Sequence, residues 1–128
     1  MIVGIGTDIV DIRRIERLIA QHGQRFKERV FTPHERRHCE DRKDDTAAYA
    51  RRFAAKEAFV KALGSGFRDG ISWQDMGVVN DDAGRPAMWL SEAMRERLFH
   101  RFSAREPQCH VSLSDEPPYA VAFVIISL

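Results

Sequence analysis

The chain has 128 residues, of which 44% are hydrophobic and 30% charged, so it is long enough for one domain with its own core and too short for two ordinary ones. Its formal net charge of +1 gives no strong overall attraction to nucleic acid. No run approaches the ~20 apolar residues of a membrane span, and the apolar start at 1–5 lacks the basic and long apolar regions of a signal peptide. We therefore expect one cytoplasmic domain spanning residues 1–128, with neither a nucleic acid nor a membrane as partner.

The two cysteines, Cys39 and Cys109, lie far apart in the sequence and form no C-x-x-C pair. This usage fits a reducing compartment and argues against a thiolate metal site. We expect both to be structural thiols.

The first part of the chain is predicted to be a strand followed by helices. Apolar periodicity predicts a strand at 1–7, a helix at 11–21 and a helical segment at 25–31. Thr32, Pro33 and Glu35 then form a helix start, with a threonine N-cap, a proline at the first helical position and a glutamate that completes a capping box. A short helix should follow, and the polar segment 39–46 is expected to be a surface loop.

The remainder of the chain begins with a long helix and then becomes more strand-like. The helix at about 47–63 ends at Gly64-Ser65-Gly66, because glycine adopts the left-handed conformation of a C-cap. Strands at 76–80 and 87–90 flank the turn-rich segment 81–86 and predict a hairpin. A helix at 91–102 precedes two β-rich runs, 109–113 and 119–126, which predict an antiparallel pair. The pattern predicts a single α+β domain with a small antiparallel sheet packed against helices.

The long helix carries charges among apolar residues on all its sides. On a helical wheel Glu57 and Lys61 share one narrow face with Ala54, whereas Phe59 lies on the opposite side. Charges in apolar surroundings are costly unless they are paired or bound to a metal, so this stripe is a candidate site. The alternative is an ordinary exposed i,i+4 ion pair. Lys56 lies about 100° around the helix from Glu57, so its role stays open between a phosphate contact, a salt bridge and a position at the rim.

The first strand ends in Gly4-Ile5-Gly6-Thr7-Asp8-Ile9, which begins like a dinucleotide-binding fingerprint. Ile9 stands where the third glycine should be, and no parallel βαβ pattern follows, so the fingerprint is rejected. Two positions without side chains next to Asp8 allow the backbone either to approach a ligand or to pack tightly against another element.

A second motif, His34-Glu35-Arg36-Arg37-His38, matches H-E-x-x-H on a predicted helix and would indicate a zinc peptidase. A catalytic zinc needs a third protein ligand and a sheltered helix, whereas this segment is short and surrounded by charges. Glu35 is also already expected to cap the helix. We interpret the match as accidental and keep the zinc peptidase as an alternative.

Positive charge is concentrated between residues 11 and 43, which contain ten Lys or Arg and six Asp or Glu. In the first predicted helix, Arg13, Arg14 and Arg17 lie on the side opposite the apolar face. This basic stripe is either a solvated outer face or a docking surface for an acidic partner.

Taken together, the motifs resemble those of the holo-[acyl-carrier-protein] synthases, the small single-domain class of 4′-phosphopantetheinyl transferases. The similarity covers nearly the whole chain, and its elements occur in the family's order. They are G-I-G-T-D-I at 4–9 with the following Arg14, R-F-A-A-K-E-A-F-V-K-A-L-G at 52–64, G-R-P at 84–86 and H-V-S-L-S at 110–114.

The resemblance implies an enzyme that moves the phosphopantetheine arm of coenzyme A to a serine of an acyl carrier protein and releases adenosine 3′,5′-bisphosphate. It implies that Asp8 and Glu57 hold Mg²⁺, a hard ion that prefers oxygen ligands. Lys61 is then the candidate for stabilising or protonating the departing phosphate, and Glu57 is the candidate for taking the serine proton, directly or through water.

The same resemblance assigns the binding residues and the assembly. Coenzyme A is expected to contact a group of residues that shape one groove: Arg52, Lys61, Gly64, Gly84, Pro86 and His110. The acidic carrier protein is expected to dock at Arg14, with Arg13, Arg17 and Arg25 as helpers. Asp115 stands where many relatives have a second histidine, and a homotrimer is expected because the small members hold coenzyme A between subunits.

Two other functions remain alternatives to transfer: the zinc peptidase, and a non-catalytic adaptor that binds acidic helices through its arginines. The sequence alone does not place Asp8 near Glu57, because they lie in different predicted elements. Only the resemblance brings the two carboxylates together.

Overall fold

A long helix, almost completely surrounded by the other elements, organises the fold. The computed structural model describes residues 1–68 and 70–128. In chain order the elements are β1 (Ile2–Asp11), α1 (Ile12–His22), α2 (Gln24–Val30), α3 (Pro33–Glu40), α4 (Asp45–Leu63), a 3-10 turn (Trp73–Asp75), β2 (Met76–Asn80), β3 (Pro86–Leu90), α5 (Glu92–Arg101), β4 (Gln108–Glu116) and β5 (Tyr119–Ser127). The predicted α+β class with antiparallel sheets and helices is confirmed.

The strands form two antiparallel sheets. The larger has the order β1-β5-β4, so the first and last strands of the chain are neighbours, and the smaller is the hairpin of β2 and β3. In the larger sheet Asp8 lies opposite Ala122, which in turn lies opposite Leu113. This row connects the second half of β1 with the middle of β4.

Helix α4 packs across one face of the larger sheet and is buried on nearly all sides. Its core residues include Ala54, Ala58 and Phe59, and they join apolar side chains from every major element in one cluster. The helix ends at Gly64, whose φ of 80° is the left-handed C-cap conformation predicted from the sequence. A helix that is hydrophobic on all sides is typical of a protein core, so the few accessible charged residues of α4 are candidates for a functional site.

The capping box predicted at the start of α3 is present. The Thr32 hydroxyl accepts a hydrogen bond from Glu35 N at 3.2 Å, and Glu35 Oε1 accepts one from Thr32 N at 3.0 Å. The proline at the first helical position completes the predicted start.

Several boundaries differ from the predictions. Strand β1 continues to Asp11 instead of ending near Thr7, because its far half remains paired with β5. The surface loop predicted at 39–46 is shorter: Cys39 is fully buried in the last turn of α3, and α4 begins at Asp45. Burial of the apolar thiol extends the helix beyond the predicted point. Within the described residues, no helix is both long enough and apolar enough to cross a membrane.

Candidate active site and basic pocket

Two glycines bring β1 into direct contact with α4. A Cβ added at Gly6 would overlap the Ala58 carbonyl oxygen and lie 2.7 Å from Ala62 N, and one added at Gly4 would overlap the Ala62 carbonyl oxygen. The absence of side chains at these positions therefore allows the strand backbone to pack against the helix backbone. Of the two interpretations of the glycines, tight packing is the one observed.

The close approach places Asp8 beside the exposed stripe of α4. Side chains alternate along a strand, so Asp8 points to the same side of β1 as Gly6, towards the helix. Its Oδ1 lies 2.9 Å from Lys61 Nζ, and the same ammonium donates to the Thr7 carbonyl oxygen at 3.2 Å. Asp8 is only 15% exposed, whereas Lys61 is 55% exposed, so the ammonium forms the outer edge of the site.

Glu57 is the second carboxylate at this crossing. Partial burial raises the pKa of Glu57, the negative charge of Asp8 raises it further, and the positive charges of Lys61 and Arg14 oppose the change. Two carboxylates and a lysine thus influence one another between β1 and α4. Among the described residues, no group of three or more His, Cys, Asp or Glu side chains could hold a metal ion. The carboxylates available as ligands to a cation at this crossing are those of Asp8 and Glu57.

Lys56, the neighbour of Glu57 in sequence, points into the core. Its Nζ contacts Glu35 Oε1 at 2.6 Å, and both side chains are fully buried. The ammonium also donates to the carbonyl oxygens of Val30 at 2.6 Å and Trp73 at 3.0 Å. Of the roles left open for Lys56, the structure supports a salt bridge that ties α4 to the preceding helices and the 3-10 turn.

This salt bridge contradicts the zinc-peptidase alternative. Glu35 Oε1 is occupied by Lys56 and by the Thr32 amide, and Oε2 accepts from Val78 N at 3.0 Å. A general base must reach a water at the metal, and the carboxylate of Glu35 is fully engaged in the core. The match to H-E-x-x-H is therefore accidental, as the sequence context indicated.

A basic pocket of about 370 Å³ lies between α3, α4, β4 and the β2–β3 hairpin. It brings together three of the residues predicted to bind coenzyme A: Arg52, Gly84 and Pro86. Its other lining residues include His38, Arg42, Arg51 and Asp115, which were not predicted as binding residues. We call this cavity the basic pocket.

Arg52 is the most buried charge of the basic pocket. It is 2% exposed and donates to two neutral acceptors, the Ala48 carbonyl oxygen and Asn80 Oδ1, each at 3.2 Å. Its Nε is buried and has no hydrogen-bond partner among the described residues. An anionic ligand would complement this guanidinium, because a buried charge is costly without a counter-charge.

The basic pocket and the two carboxylates lie within reach of one extended ligand. Leu113 lines the pocket and lies two strands from Asp8 in the row through Ala122, a separation of about 10 Å at the usual strand spacing. Along α4, Arg52 precedes Glu57 by five residues, or about 7.5 Å of rise. A ligand with anionic groups this far apart could contact both places.

Two predicted coenzyme A residues lie outside the basic pocket. His110 is exposed on the face of the larger sheet that points away from α4, where its Nε2 lies 3.2 Å from Ser127 Oγ. Gly64 ends α4 one turn beyond Lys61. Within one protomer, His110 is therefore separated from Arg52 by the sheet.

The arginines predicted to bind the carrier protein are exposed on α1 and α2. Arg14 lies over the Phe53 ring, with its guanidinium carbon 5.4 Å from the ring centroid, and its charge also influences Glu57. Arg13 is instead held by Asp11 in a bidentate ion pair with a shortest distance of 2.6 Å. Arg14 is therefore the arginine of the stripe that stands beside the carboxylates.

Sequence comparison identifies the class of this fold and site. Residues 4–124 match the model of the 4′-phosphopantetheinyl transferase superfamily, and the chain belongs to that superfamily. The matched range includes Gly4, Gly6, Asp8, Glu57 and Arg52.

Within the superfamily the similarity is to holo-[acyl-carrier-protein] synthases along the whole chain. The one from Brucella ovis is 50% identical over 127 residues, which cover 98% of this chain and 95% of the relative. The crystal structure of the Neisseria meningitidis synthase has a TM-score of 0.89 at 37% identity, with full coverage of both chains. The Bacillus anthracis synthase, solved in complex with CoA (3′,5′-ADP), has a TM-score of 0.80 at 37% identity and covers 99% of this chain and 97% of its own.

Proposed function

We propose that this chain is a holo-[acyl-carrier-protein] synthase that transfers the 4′-phosphopantetheine group of coenzyme A to a serine hydroxyl of an apo acyl carrier protein. Adenosine 3′,5′-bisphosphate is the other product, and Mg²⁺ is held by Asp8 and Glu57. The observation that carries the proposal is the convergence of Asp8, Glu57 and Lys61 where β1 crosses α4. Full-length similarity to the synthases supports the reaction.

The donor set fits magnesium. Burial and the negative charge of Asp8 raise the pKa of Glu57, so a cation beside the two carboxylates would favour the charged form of Glu57. Mg²⁺ is commonly held by one or two carboxylates together with phosphate oxygens and water. When bound, the ion supplies charge neutralisation to the pyrophosphate of coenzyme A.

Lys61 and Glu57 have distinct tasks in the transfer. The Lys61 ammonium, held between Asp8 and the Thr7 carbonyl oxygen, provides a positive charge for the phosphate that departs with the nucleotide. Glu57, whose raised pKa makes it a better proton acceptor than an ordinary carboxylate, takes the serine proton directly or through an intervening water. Mutual positioning of the two substrates supplies much of the remaining acceleration.

The basic pocket receives the nucleotide end of coenzyme A. The buried Arg52 guanidinium and the loop at Gly84 and Pro86 support this placement, as does the distance of about 10 Å to the carboxylates. The complex of the Bacillus anthracis synthase with CoA (3′,5′-ADP) supports the same ligand class.

The acidic carrier protein docks on the arginines of α1 and α2. Arg14, Arg17 and Arg25 are exposed, and Arg14 stands close enough to Glu57 to guide the serine to the site. Arg14→Ala should raise the KM for the carrier and reduce its salt dependence, because charges at the rim of an interface act mainly on encounter. Arg13→Ala is the matched control: Asp11 already neutralises Arg13, so its effect should be smaller.

A homotrimer accounts for an apolar surface on the larger sheet. The face turned away from α4 exposes Ile5, Ile9, Tyr119 and Phe123, each between 45% and 65% exposed. A large exposed apolar patch marks an interaction site. In a trimer assembled through this face, His110 would lie at the subunit boundary and could contact coenzyme A bound by a neighbouring subunit. Sedimentation velocity should show a trimer that Ile9→Glu dissociates, and an active wild-type monomer would contradict this assembly.

Mass spectrometry of an apo carrier protein incubated with coenzyme A tests the reaction. The carrier should gain the mass of one phosphopantetheine group only when Mg²⁺ is present, and Asp8→Asn or Glu57→Gln should abolish the gain while circular dichroism stays unchanged. Glu96→Gln, which removes an exposed carboxylate of α5, is the matched control and should retain transfer. Transfer that continues in both site variants would refute the assignment of the metal ligands, and carrier binding without transfer in any metal would favour a non-catalytic adaptor.

A further inference from the structure

An acidic side chain lines the otherwise cationic basic pocket. Asp115 is the carboxylate among the described residues that line it, together with the guanidinium groups of Arg42, Arg51 and Arg52. Asp115 Oδ2 lies 3.1 Å from Arg51 Nη1, and this pair joins β4 to α4 across the pocket. The Arg51 side chain is only 14% exposed, so the contact is sheltered from water on the side of the helix.

Arg51 stands between two carboxylates. Its Nη2 lies 3.7 Å from Asp44 Oδ2, and Asp44 is itself held by Arg42 through hydrogen bonds of 2.8 and 3.2 Å. Four side chains of alternating charge therefore follow one edge of the pocket, from Arg42 to Asp115.

The two neighbouring arginines of α4 consequently differ in charge compensation. Arg52 donates to neutral oxygens only, in the hydrogen bonds that the structure shows, and its charge remains available to an anion in the pocket. Arg51 is already paired with a carboxylate that lines the same pocket. An incoming phosphate must therefore compete with Asp115 for Arg51 and is also repelled by Asp115.

We propose that Asp115 weakens the binding of a phosphomonoester in the basic pocket, by occupying Arg51 and lowering the positive charge of the lining. This proposal rests on the proposed function, in which the nucleotide end of coenzyme A occupies the pocket. Its consequence is faster release of adenosine 3′,5′-bisphosphate after transfer. The pocket retains enough charge to bind the nucleotide, and Asp115 prevents the product from being held too tightly.

Calorimetric titration of the purified protein with adenosine 3′,5′-bisphosphate tests the role of Asp115. Asp115→Asn should bind the nucleotide more tightly, on the order of five- to tenfold, as expected for removal of one negative charge several Å from a phosphate dianion in a wet pocket. The inhibition constant of the bisphosphate against coenzyme A should fall by the same factor. The affinity should also depend more steeply on salt, because the pocket gains net positive charge.

Two further variants isolate the cause. Asp82→Asn makes the same chemical change at an exposed position of the nearby β2–β3 turn that does not line the pocket, and it should leave affinity unchanged. In the Arg51→Gln background, Asp115→Asn should have a smaller effect, because the guanidinium that it would release is missing.

The outcomes separate this proposal from the proposed function. Tighter binding by Asp115→Asn but not by Asp82→Asn supports it. Unchanged or weaker binding by Asp115→Asn, with normal binding by the wild type, overturns the role of Asp115 and leaves the transferase assignment intact. Failure of the folded wild type to bind the bisphosphate at all overturns both the placement of the nucleotide and the proposal that depends on it.

Discussion

Replacement of Gly6 by alanine should separate the two halves of the proposed active site. The added Cβ would lie 2.7 Å from Ala62 N and would overlap the carbonyl oxygen of Ala58, both of which are helix backbone and cannot rotate away. Nonbonded carbon atoms pack best at about 3.5–4.0 Å, so β1 and α4 must move apart by about 1 Å or more. That movement separates the strand that carries Asp8 from the helix that carries Glu57 and Lys61.

The displacement predicts both an energetic and a catalytic cost. Overpacking of this kind typically destabilises a protein by about 1–3 kcal/mol. A misplacement of about 1 Å in a catalytic constellation can reduce the rate by about a hundredfold. We therefore expect Gly6→Ala to fold with reduced stability, measured by urea denaturation, and to lose most of its transfer rate, measured by mass spectrometry of the carrier.

Gly66→Ala is the matched control. Gly66 has a φ of 67°, and no atom lies within 4 Å of its added Cβ, so alanine there costs about 1–2 kcal/mol of backbone strain without moving α4 against β1. The two variants should lose comparable stability, but only Gly6→Ala should lose most activity. Equal transfer rates for the two, measured where both are folded, would refute the claim that the backbone contact at Gly6 sets the distance between the carboxylates.

Three further predictions concern buried and half-buried groups. Lys56→Met should lower the free energy of unfolding, measured by urea denaturation, by about 3–5 kcal/mol, because it leaves the Glu35 carboxylate buried without its cation. The double variant with Glu35→Gln should lose less than the sum of the two single losses, and additive losses would exclude coupling between the two side chains. Glu57→Gln should raise the free energy of unfolding at pH 7.5 without divalent cations. Because the pKa of Glu57 is raised in the folded protein, folding favours its protonated form. The stability that Glu57 contributes is therefore complete below its ordinary pKa of 4.5 and is lost as the pH rises through its pKa in the folded protein. A stability gain of Glu57→Gln that persists unchanged at low pH would contradict this. Burial raises the pKa of the buried Cys39 and of the half-buried Cys109 to about 11. Both thiols should therefore react slowly with iodoacetamide in the native protein at pH 8 and rapidly in urea, and fast native labelling of either would contradict its raised pKa.

The ends of helices were predictable where residues close together in the sequence determine them. Thr32, Pro33 and Glu35 fixed the start of α3, and Gly64 fixed the end of α4, because caps and left-handed glycines act through neighbours in sequence. Cys39 shows the limit of that approach. Its neighbours are polar and predicted a loop, but burial against distant residues keeps it in the helix.

The candidate site was predictable only in part, because its geometry depends on contacts between distant parts of the chain. The helical wheel identified Glu57 and Lys61 as a stripe, but it could not show that β1 delivers Asp8 to that stripe. The wheel also could not assign Lys56, whose partner Glu35 belongs to another helix. The resemblance to the synthases supplied the first of these connections and left the second open.

The same limit explains why Arg51 was missed. Arg51 and Arg52 are adjacent in sequence and differ by about 100° on the helix, so one is buried under the hairpin and the other meets β4. Asp115 lies on β4 and meets Arg51 only through the packing of α4 against the sheet.

The charged residues of the enclosed helix α4 differ in how their charges are compensated. Three of its charged residues each have an oppositely charged partner: Lys56 has Glu35, Arg51 has Asp115, and Lys61 has Asp8. Glu57 differs, since partial burial and then the negative charge of Asp8 raise its pKa. A cation bound beside Glu57 would compensate for this charge, which is consistent with the proposed Mg²⁺ site. If Mg²⁺ binds there, it should stabilise the wild type against urea and leave Glu57→Gln unaffected, and equal stabilisation of both proteins would place the ion elsewhere.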